Sequence, residues 1–243
     1  MVVKFDISSL TGCCPAKSAN KFFILSAFLT CFLFLFNVFG QDDPRAQKII
    51  DDMTAAFKKY PTVSLSFSAN VSTQIPEKTE MQLDGKIWVK NTMYKLETPD
   101  FVIFFNGSTI EQYLPDAQEV NIMKPDPNEN NEDFQLLNPQ TYFNLSSKSF
   151  KSNLVKESTQ NGRVVSEIDL YPIHLKTTKY SRIRVLIEKS TLQLTYLKAF
   201  MKDGTHYELT FKPYAIFQTA LPDSFFSFDK LEFPNVEIID LSF

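Results

Sequence analysis

Cysteine is confined to the start of this 243-residue sequence, where Cys13, Cys14 and Cys31 are its only three. A chain without cysteine beyond residue 31 has no disulfide scaffold, thiolate metal site or cysteine nucleophile there. Histidine is nearly as scarce: His174 and His206 stand on separate segments. HExxH, GxSxG, a phosphate-cradling glycine loop and a regularly spaced Asp/Asn calcium loop are all missing. Glu111 with Glu119, or Glu97 with Asp100, can be imagined as carboxylate pairs for glycoside hydrolysis, but scattered acids on strand faces are the ordinary state of an acidic chain. The expectation is therefore a non-enzyme with no catalytic residues, no metal and no cofactor. Basic runs are absent too, and the net charge of −3 makes nucleic acid and anionic membrane surfaces poor partners.

What is present begins with residues 22 to 39, "FFILSAFLTCFLFLFNVF", an uncharged apolar run preceded by Lys17 and Lys21 and followed by Val38-Phe39-Gly40. Residues 1 to 40 read as a secretory signal cleaved before Gln41. The run is also long enough to span a bilayer, which leaves an uncleaved anchor as the alternative. Phe28-Leu29-Thr30 precedes Cys31 without the small residue a lipidation box requires. The remaining residues, 41–243, carry a formal charge of −5 and have the length of one domain with a real core.

"DDPRAQKIIDDMTAAFKKY" predicts a helix with Asp43 as N-cap and Pro44 in its first turn, its apolar face formed by Ile49, Ile50, Met53 and Phe57. From Pro61 the period becomes two: Val63, Leu65, Phe67, Ala69 and Val71 alternate with polar residues, the mark of a half-buried antiparallel strand. This texture recurs to the terminal "VEIIDL", giving about a dozen short strands. The four glycines after residue 40 each follow Asn or Asp, at 84-85, 106-107, 161-162 and 203-204. Such dipeptides supply tight hairpin turns, although Asp84-Gly85 lies inside a strand-like run and reads equally as a bulge. Residues 124 to 150 break the pattern. An Asn- and Asp-rich loop, mobile from Asp126 to Asp133, leads to a short helix capped by Asn138 and Pro139, with Tyr142, Phe143 and Leu145 as its apolar cluster. Such an excursion reads either as a lid or as a surface insertion.

Sixteen phenylalanines follow residue 40, several in "FVIFF" (101 to 105) and "FFSF" (225 to 228). Any one of them suits a packed core. Together they exceed what one sheet face and one long helix require, which suggests a hydrophobic cavity within a curved sheet.

The order of "AQKIIDDMTAAF", "VSLSFSA", "LDGKIWVKNTMYKLETPDFVIFFNGSTIEQYLPDAQEVNI", "PQTYFNL", "IDLYP", "MKDGTHYELTF" and "LPDSFFSFDKLEFPNVEIIDL" resembles the bacterial outer-membrane lipoprotein carrier family, LolA. The resemblance covers essentially all of residues 41–243. It implies a mainly β fold with a few helices: an incomplete barrel of about eleven antiparallel strands, covered by helices around a hydrophobic cavity. It also implies a monomeric periplasmic carrier of lipoprotein acyl chains, loaded by an inner-membrane ABC transporter and unloaded at an outer-membrane acceptor. A sensory lipid- or lipoprotein-binding module and an outer-membrane lipoprotein acceptor are the alternatives within that fold.

By the resemblance, Tyr94, Leu96 and Ile103 face the cavity. Period two brings Phe101 and Phe105 to the same side as Ile103, leaving Val102 and Phe104 to face outward under another element or at a partner surface. Met53 and Phe57 of the long helix, Leu65 and Phe67 of the first strand and Phe143 of the lid complete the expected lining. Asn91, after Lys90, stands where the family carries an arginine that holds the lid closed, so a different latch is expected.

Overall fold

A computed structural model describes residues 42–74, 77–125, 138–143, 145, 149–176 and 178–242. The leader, residues 1 to 40, and the loop from Asp126 to Asp133 lie outside the described residues. Helix α1 runs Pro44–Phe57, with the Asp43 carboxylate accepting from the Arg45 backbone N–H at 2.9 Å and Pro44 in the first turn, where no amide partner is needed. Ala46, Ile50 and Met53 are its buried stripe, flanked by Ile49 and Phe57.

Among the described residues, thirteen strands form one sheet. They are β1 Thr62–Gln74, β2 Glu77–Lys90, β3 Met93–Glu97, β4 Val102–Phe105, β5 Ile110–Leu114, β6 Glu119–Met123, β7 Phe150–Gln160, β8 Arg163–Pro172, β9 Tyr180–Glu188, β10 Leu194–Met201, β11 Thr205–Phe211, β12 Ala215–Phe217 and β13 Glu237–Asp240. The order is β13-β6-β5-β4-β3-β2-β1-β11-β10-β9-β8-β7, with β12 continuing β11's course along β1. Two hairpin meanders thus meet at the β1–β11 pair, and the curved sheet does not close. Neighbours are antiparallel throughout except β13, which joins β6 in parallel. Helix α2, Pro139–Phe143, lies with α1 on the inner face.

Three Asn/Asp-Gly pairs are turns, with Gly107, Gly162 and Gly204 at positive φ. Asp84-Gly85 is neither turn nor bulge: Gly85 sits in β2 in regular register with Phe67, and the nearby register shift falls at Val71/Ser72. A Cβ on Gly85 would lie 2.6 Å from the Phe67 ring and 2.7 Å from the Glu97 carbonyl oxygen. The glycine is there so that an aromatic ring can lie flat against the strand.

The outer face divides in two. Across β8 to β11 it carries a charged row in which Asp169 accepts from Arg184 at 2.7 and 2.9 Å and from Arg182 at 3.0 Å, while Lys198 pairs with Glu208 at 2.6 Å. Across β2 to β5 it mixes Trp88, Val102, Phe104 and Tyr113 with Lys86, Lys95, Glu97 and Glu111, and a C-terminal strap containing the 3-10 turn Asp223–Phe226 packs on its aromatic part. Phe225 meets Trp88 edge-on at 5.6 Å, Phe228 meets Phe104 at 6.4 Å, and Phe233 packs on Tyr113 at 4.6 Å. Lys90 ties the strap down through the Leu221 carbonyl at 2.6 Å and the Asp223 carboxylate at 2.5 Å. Glu111 accepts from the Phe228 N–H at 2.6 Å. This corrects the reading of the aromatic surplus as cavity lining: Phe104, Phe225, Phe226, Phe228 and Phe233 build a second apolar layer on the opposite face. Val102 and Phe104 of "FVIFF" are its floor, buried at 9% and 3% exposure.

Candidate functional site

Cross-strand register assembles the inner face in rows. Leu65, Ile87, Leu96 and Ile103 form one row across β1 to β4. Val63, Val89, Tyr94, Phe105 and Ile110 form the next, reaching β5. Phe67 leads to Phe211 on the far side of β1. Pairs directly opposite one another have close Cβ atoms, so each row is a continuous apolar strip.

The ten expected lining residues meet here. Met53, Leu65, Phe67, Tyr94, Leu96, Ile103 and Phe143 are buried in one cluster, with Phe57, Phe101 and Phe105 packed at its margin. In this conformation the strip is filled: Leu96, Ile103 and Phe143 are at most 1% exposed.

What fills it is the segment of α2. The Phe143 ring stacks on Phe57 with centroids 4.0 Å apart and planes 5° from parallel, and stands edge-on to Tyr214 at 5.8 Å. Tyr142 lies 5.5 Å from the Phe211 ring, and Leu145 is buried beside them. Asn138 caps the turn, its side-chain oxygen accepting from the Gln140 N–H at 2.9 Å. The Gln140 side-chain amide donates to the Asn91 carbonyl at 2.9 Å, and Thr54 Oγ1 of α1 donates to the Leu145 carbonyl at 3.4 Å. Helix α2 is thus tied to the β2–β3 turn at the Asn91 carbonyl, while Lys90 serves the strap instead.

Openings flank the filled strip. One of about 450 Å³ lies beside the end of α1 and is bordered by Phe57, Val63, Val89, Lys58, Asn91 and Gln140. A smaller apolar one of about 150 Å³ lies further along β1, among Ala69, Leu83, Phe101, Tyr207 and Leu209. A third, about 340 Å³, has Val165, Leu194 and Phe211 as apolar lining, with Arg163 and Lys212 beside them.

Three tyrosines contribute the polar atoms of this interior. Burial pushes the Tyr94 and Tyr142 phenols well above their ordinary pKa, and for Tyr142 the neighbouring Tyr94 and Tyr214 push further. The Tyr214 phenol is also raised by burial, against the opposing effect of its bond to Leu194. All three are protonated donors at neutral pH. Sequence reasoning missed Tyr214 and Phe211 as parts of this site. Lys212-Pro213 was the available signal: proline ends the β11 ladder, and the break lets Tyr214 turn inward to Leu194.

Among the described residues, no three of His, Cys, Asp and Glu come together as a metal-holding group, and no helix is long and apolar enough to cross a membrane. His206 is half-buried in β11, edge-on to Phe200 at 5.0 Å.

No family model matches this sequence, and no curated protein matches it. Solved structures do. The chain is similar to an uncharacterised conserved protein from Thermus thermophilus, at 10% identity and a TM-score of 0.50, over 81% of this chain and 99% of that one. It is similar to a DUF1329 family protein from Desulfovibrio piger, at 12% identity and a TM-score of 0.47, over 77% and 98% of the two chains. A LolA superfamily protein from Nitrosomonas europaea is similar at 10% identity and a TM-score of 0.41, over 76% and 98%. At these identities the likeness is one of fold, and the open, curved sheet with helices on one face is the architecture that the resemblance to the lipoprotein carriers implied.

Proposed function

We propose that this protein is a non-enzymatic, monomeric carrier that binds the acyl chains of lipidated proteins between its inner sheet face and helix α2. In this reading it works in the periplasm, taking cargo from an inner-membrane ABC transporter and delivering it to an outer-membrane acceptor. The observation that carries the proposal is the lid. A continuous apolar strip is covered by a helix of only five residues, too short to be stable alone and held by aromatic packing and a side-chain latch. Removing it exposes a greasy trough without dismantling any strand pair.

The chemistry explains the need. At about 0.8 kcal/mol per exposed CH₂, an acyl chain of roughly fifteen methylenes costs on the order of 12 kcal/mol in water. Lipidated proteins do not cross an aqueous compartment unaided.

The test is mass spectrometry of what co-purifies from the native periplasm, with a transfer assay from inner- to outer-membrane vesicles. Acyl chains or lipoprotein in stoichiometric amount, and transfer, support the carrier. A stable membrane-protein complex without transfer sinks it in favour of a sensor.

A further inference from the structure

We propose that the small apolar opening among Ala69, Leu83 and Leu209 receives the methyl end of the bound acyl chain, so that its distance from the opening beside α1 sets the chain length the protein prefers. This rests on the reading of the inner face as an acyl-chain site and adds a length to it.

The inner face continues past the part that α2 covers. Along β1, Val63, Leu65, Phe67, Ala69 and Val71 point to it in turn. The ring contacts of α2 run from Phe57 to Phe211, the cross-strand partner of Phe67. One step further, Ala69 pairs with Leu83 on β2 and with Leu209 on β11, and both leucines are buried. An alanine between two leucines leaves a dip, and the opening of about 150 Å³ stands there while α2 is in place. Its aromatic wall is fixed. Strand β3 ends at Glu97 beside Gly85, and the chain turns back to bring Phe101 to the opening. Three hydrogen bonds hold that turn: the Phe101 carbonyl accepts from the Thr98 N–H at 3.0 Å and from Thr98 Oγ1 at 2.9 Å, and the Phe101 N–H donates to Thr98 Oγ1 at 3.1 Å. A site formed in advance takes a chain end without the cost of ordering its own wall.

The two ends differ in charge and in polarity. The opening beside α1 is bordered by Lys58, Asn91, Thr92 and Gln140, whereas the far one has Asp100 at its edge. Glu208, also at the far edge, is engaged by Lys198 at 2.6 Å. A polar or anionic head group therefore suits the first end and the methyl group the second. Val63 borders the first opening and Ala69 the second. Six strand residues at about 3.3 Å each separate them by about 20 Å. An extended alkyl chain advances about 1.25 Å per bond, for single bonds of about 1.5 Å opened to about 111°. A chain of about sixteen carbons thus measures about 19 Å and ends at Ala69, and one of about twelve measures about 14 Å and ends near Phe67. Further carbons pass Met81, which is 51% exposed, and meet solvent.

The experiment measures Kd by titration calorimetry for saturated fatty acids of about ten to twenty carbons on the purified protein. Affinity is expected to rise roughly fourfold per added carbon up to about sixteen and to level off beyond. Ala69→Leu reaches about 2.5 Å further into the opening, or two bonds, so the break should move about two carbons shorter and the sixteen-carbon acid should lose roughly fifteenfold, with the twelve-carbon acid spared. Met81→Asp changes an exposed side chain at the mouth and should weaken the sixteen-carbon acid roughly threefold or more with the same selectivity for length. A sixteen-carbon acid with a photoreactive diazirine at its methyl end should label peptides containing Ala69, Leu83 or Leu209. A wild-type affinity that keeps rising to twenty carbons, a break that both folded variants leave in place, or labelling confined to Leu96 and Ile103 overturns the length rule and leaves the acyl-chain reading standing. Binding at no length overturns both.

Discussion

Replacing Phe143 by alanine distinguishes a lid from a piece of core, and Phe67→Ala is the matched control. Both rings are buried, at 1% and 2% exposure, and a Phe-to-Ala change in a cooperative core costs about 3–5 kcal/mol. Phe67 is on β1, paired on both sides at the centre of the sheet, so its loss reduces the stability of the whole domain by that full amount. Phe143 is on a five-residue helix. Ordering five residues costs about 5–10 kcal/mol at 1–2 each, and burying Tyr142 and Phe143 of that helix, with the Gln140 hydrogen bond, returns about 4–8 kcal/mol. The near balance puts lid opening within a few kcal/mol of the closed state. Once a mutation exceeds the opening free energy, the lid simply opens and further loss stops. Phe143→Ala is therefore expected to lower the urea-derived stability by about 1–3 kcal/mol, against 3–5 for Phe67→Ala. It should also accelerate hydrogen exchange in α2 alone and speed uptake of a fluorescent fatty acid. Equal losses from the two variants, with exchange raised alike in α2 and β1, would refute the lid and the proposed function with it.

Gln140→Ala removes the latch to Asn91 and is expected to speed probe uptake roughly two- to tenfold, as fits a hydrogen bond of about 0.5–1.5 kcal/mol; unchanged uptake in stopped-flow fluorescence contradicts the latch. Gly85→Ala drives a methyl against the Phe67 ring and the Glu97 carbonyl and should cost about 1–3 kcal/mol, seen as a lower Tm; an unchanged Tm would mean the ring has room to move. Leu96→Glu places an unpaired carboxylate at a position of 0% exposure, which should abolish acyl-chain binding and destabilise the closed protein more at pH 7 than at pH 4, because burial favours the neutral acid; equal melting at both pH values argues that water already reaches the site. The Glu188 carboxyl is held below its ordinary range by the Ser190 hydroxyl first and the Arg163 guanidinium next. A depressed carboxylate stabilises above its unfolded pKa and loses that contribution as pH falls through its folded one, so Glu188→Gln should flatten the acid limb of stability below about pH 4.5, and an unaltered limb counts against it.

Local signals carried much of this fold. The Asp43-Pro44 start of α1, the period-two strands and three of the four Asn/Asp-Gly turns were legible because each is decided within a few residues. What was not legible depends on partners far along the chain. Gly85 has the same dipeptide signature as a hairpin turn, and only the Phe67 ring on the adjacent strand gives it a different task. The strap was invisible for the same reason: "FFSF" is an apolar run whose direction is set by Trp88 and Phe104, more than a hundred residues earlier. The latch was legible only as a gap at Asn91, since the residue that fills it, Gln140, lies on another element. The strand residues of the inner face were placeable because alternation fixes a side chain's face once one neighbour's face is known, and Met53 and Phe57 because the helical period puts them on one stripe.

The two layers together identify the part that can move. Strand β4 is buried on both faces, by the strap outside and the helices inside, and an opening that flexed it would expose both layers at once. Helix α1 is fourteen residues long, is capped, and is fastened to β7 by hydrogen bonds of 2.9 Å from the Asp43 N–H to the Ser152 carbonyl and from the Ser152 N–H to the Asp42 carboxylate. Displacing it would break those bonds and uncover Ala46, Ile50 and Met53. Helix α2 covers the trough with few residues, and it bears the latch. Uptake of a chain through its displacement leaves every strand pair and the whole outer layer intact. The strap's role follows: by fixing the floor from behind, it confines any opening of the inner face to helix α2.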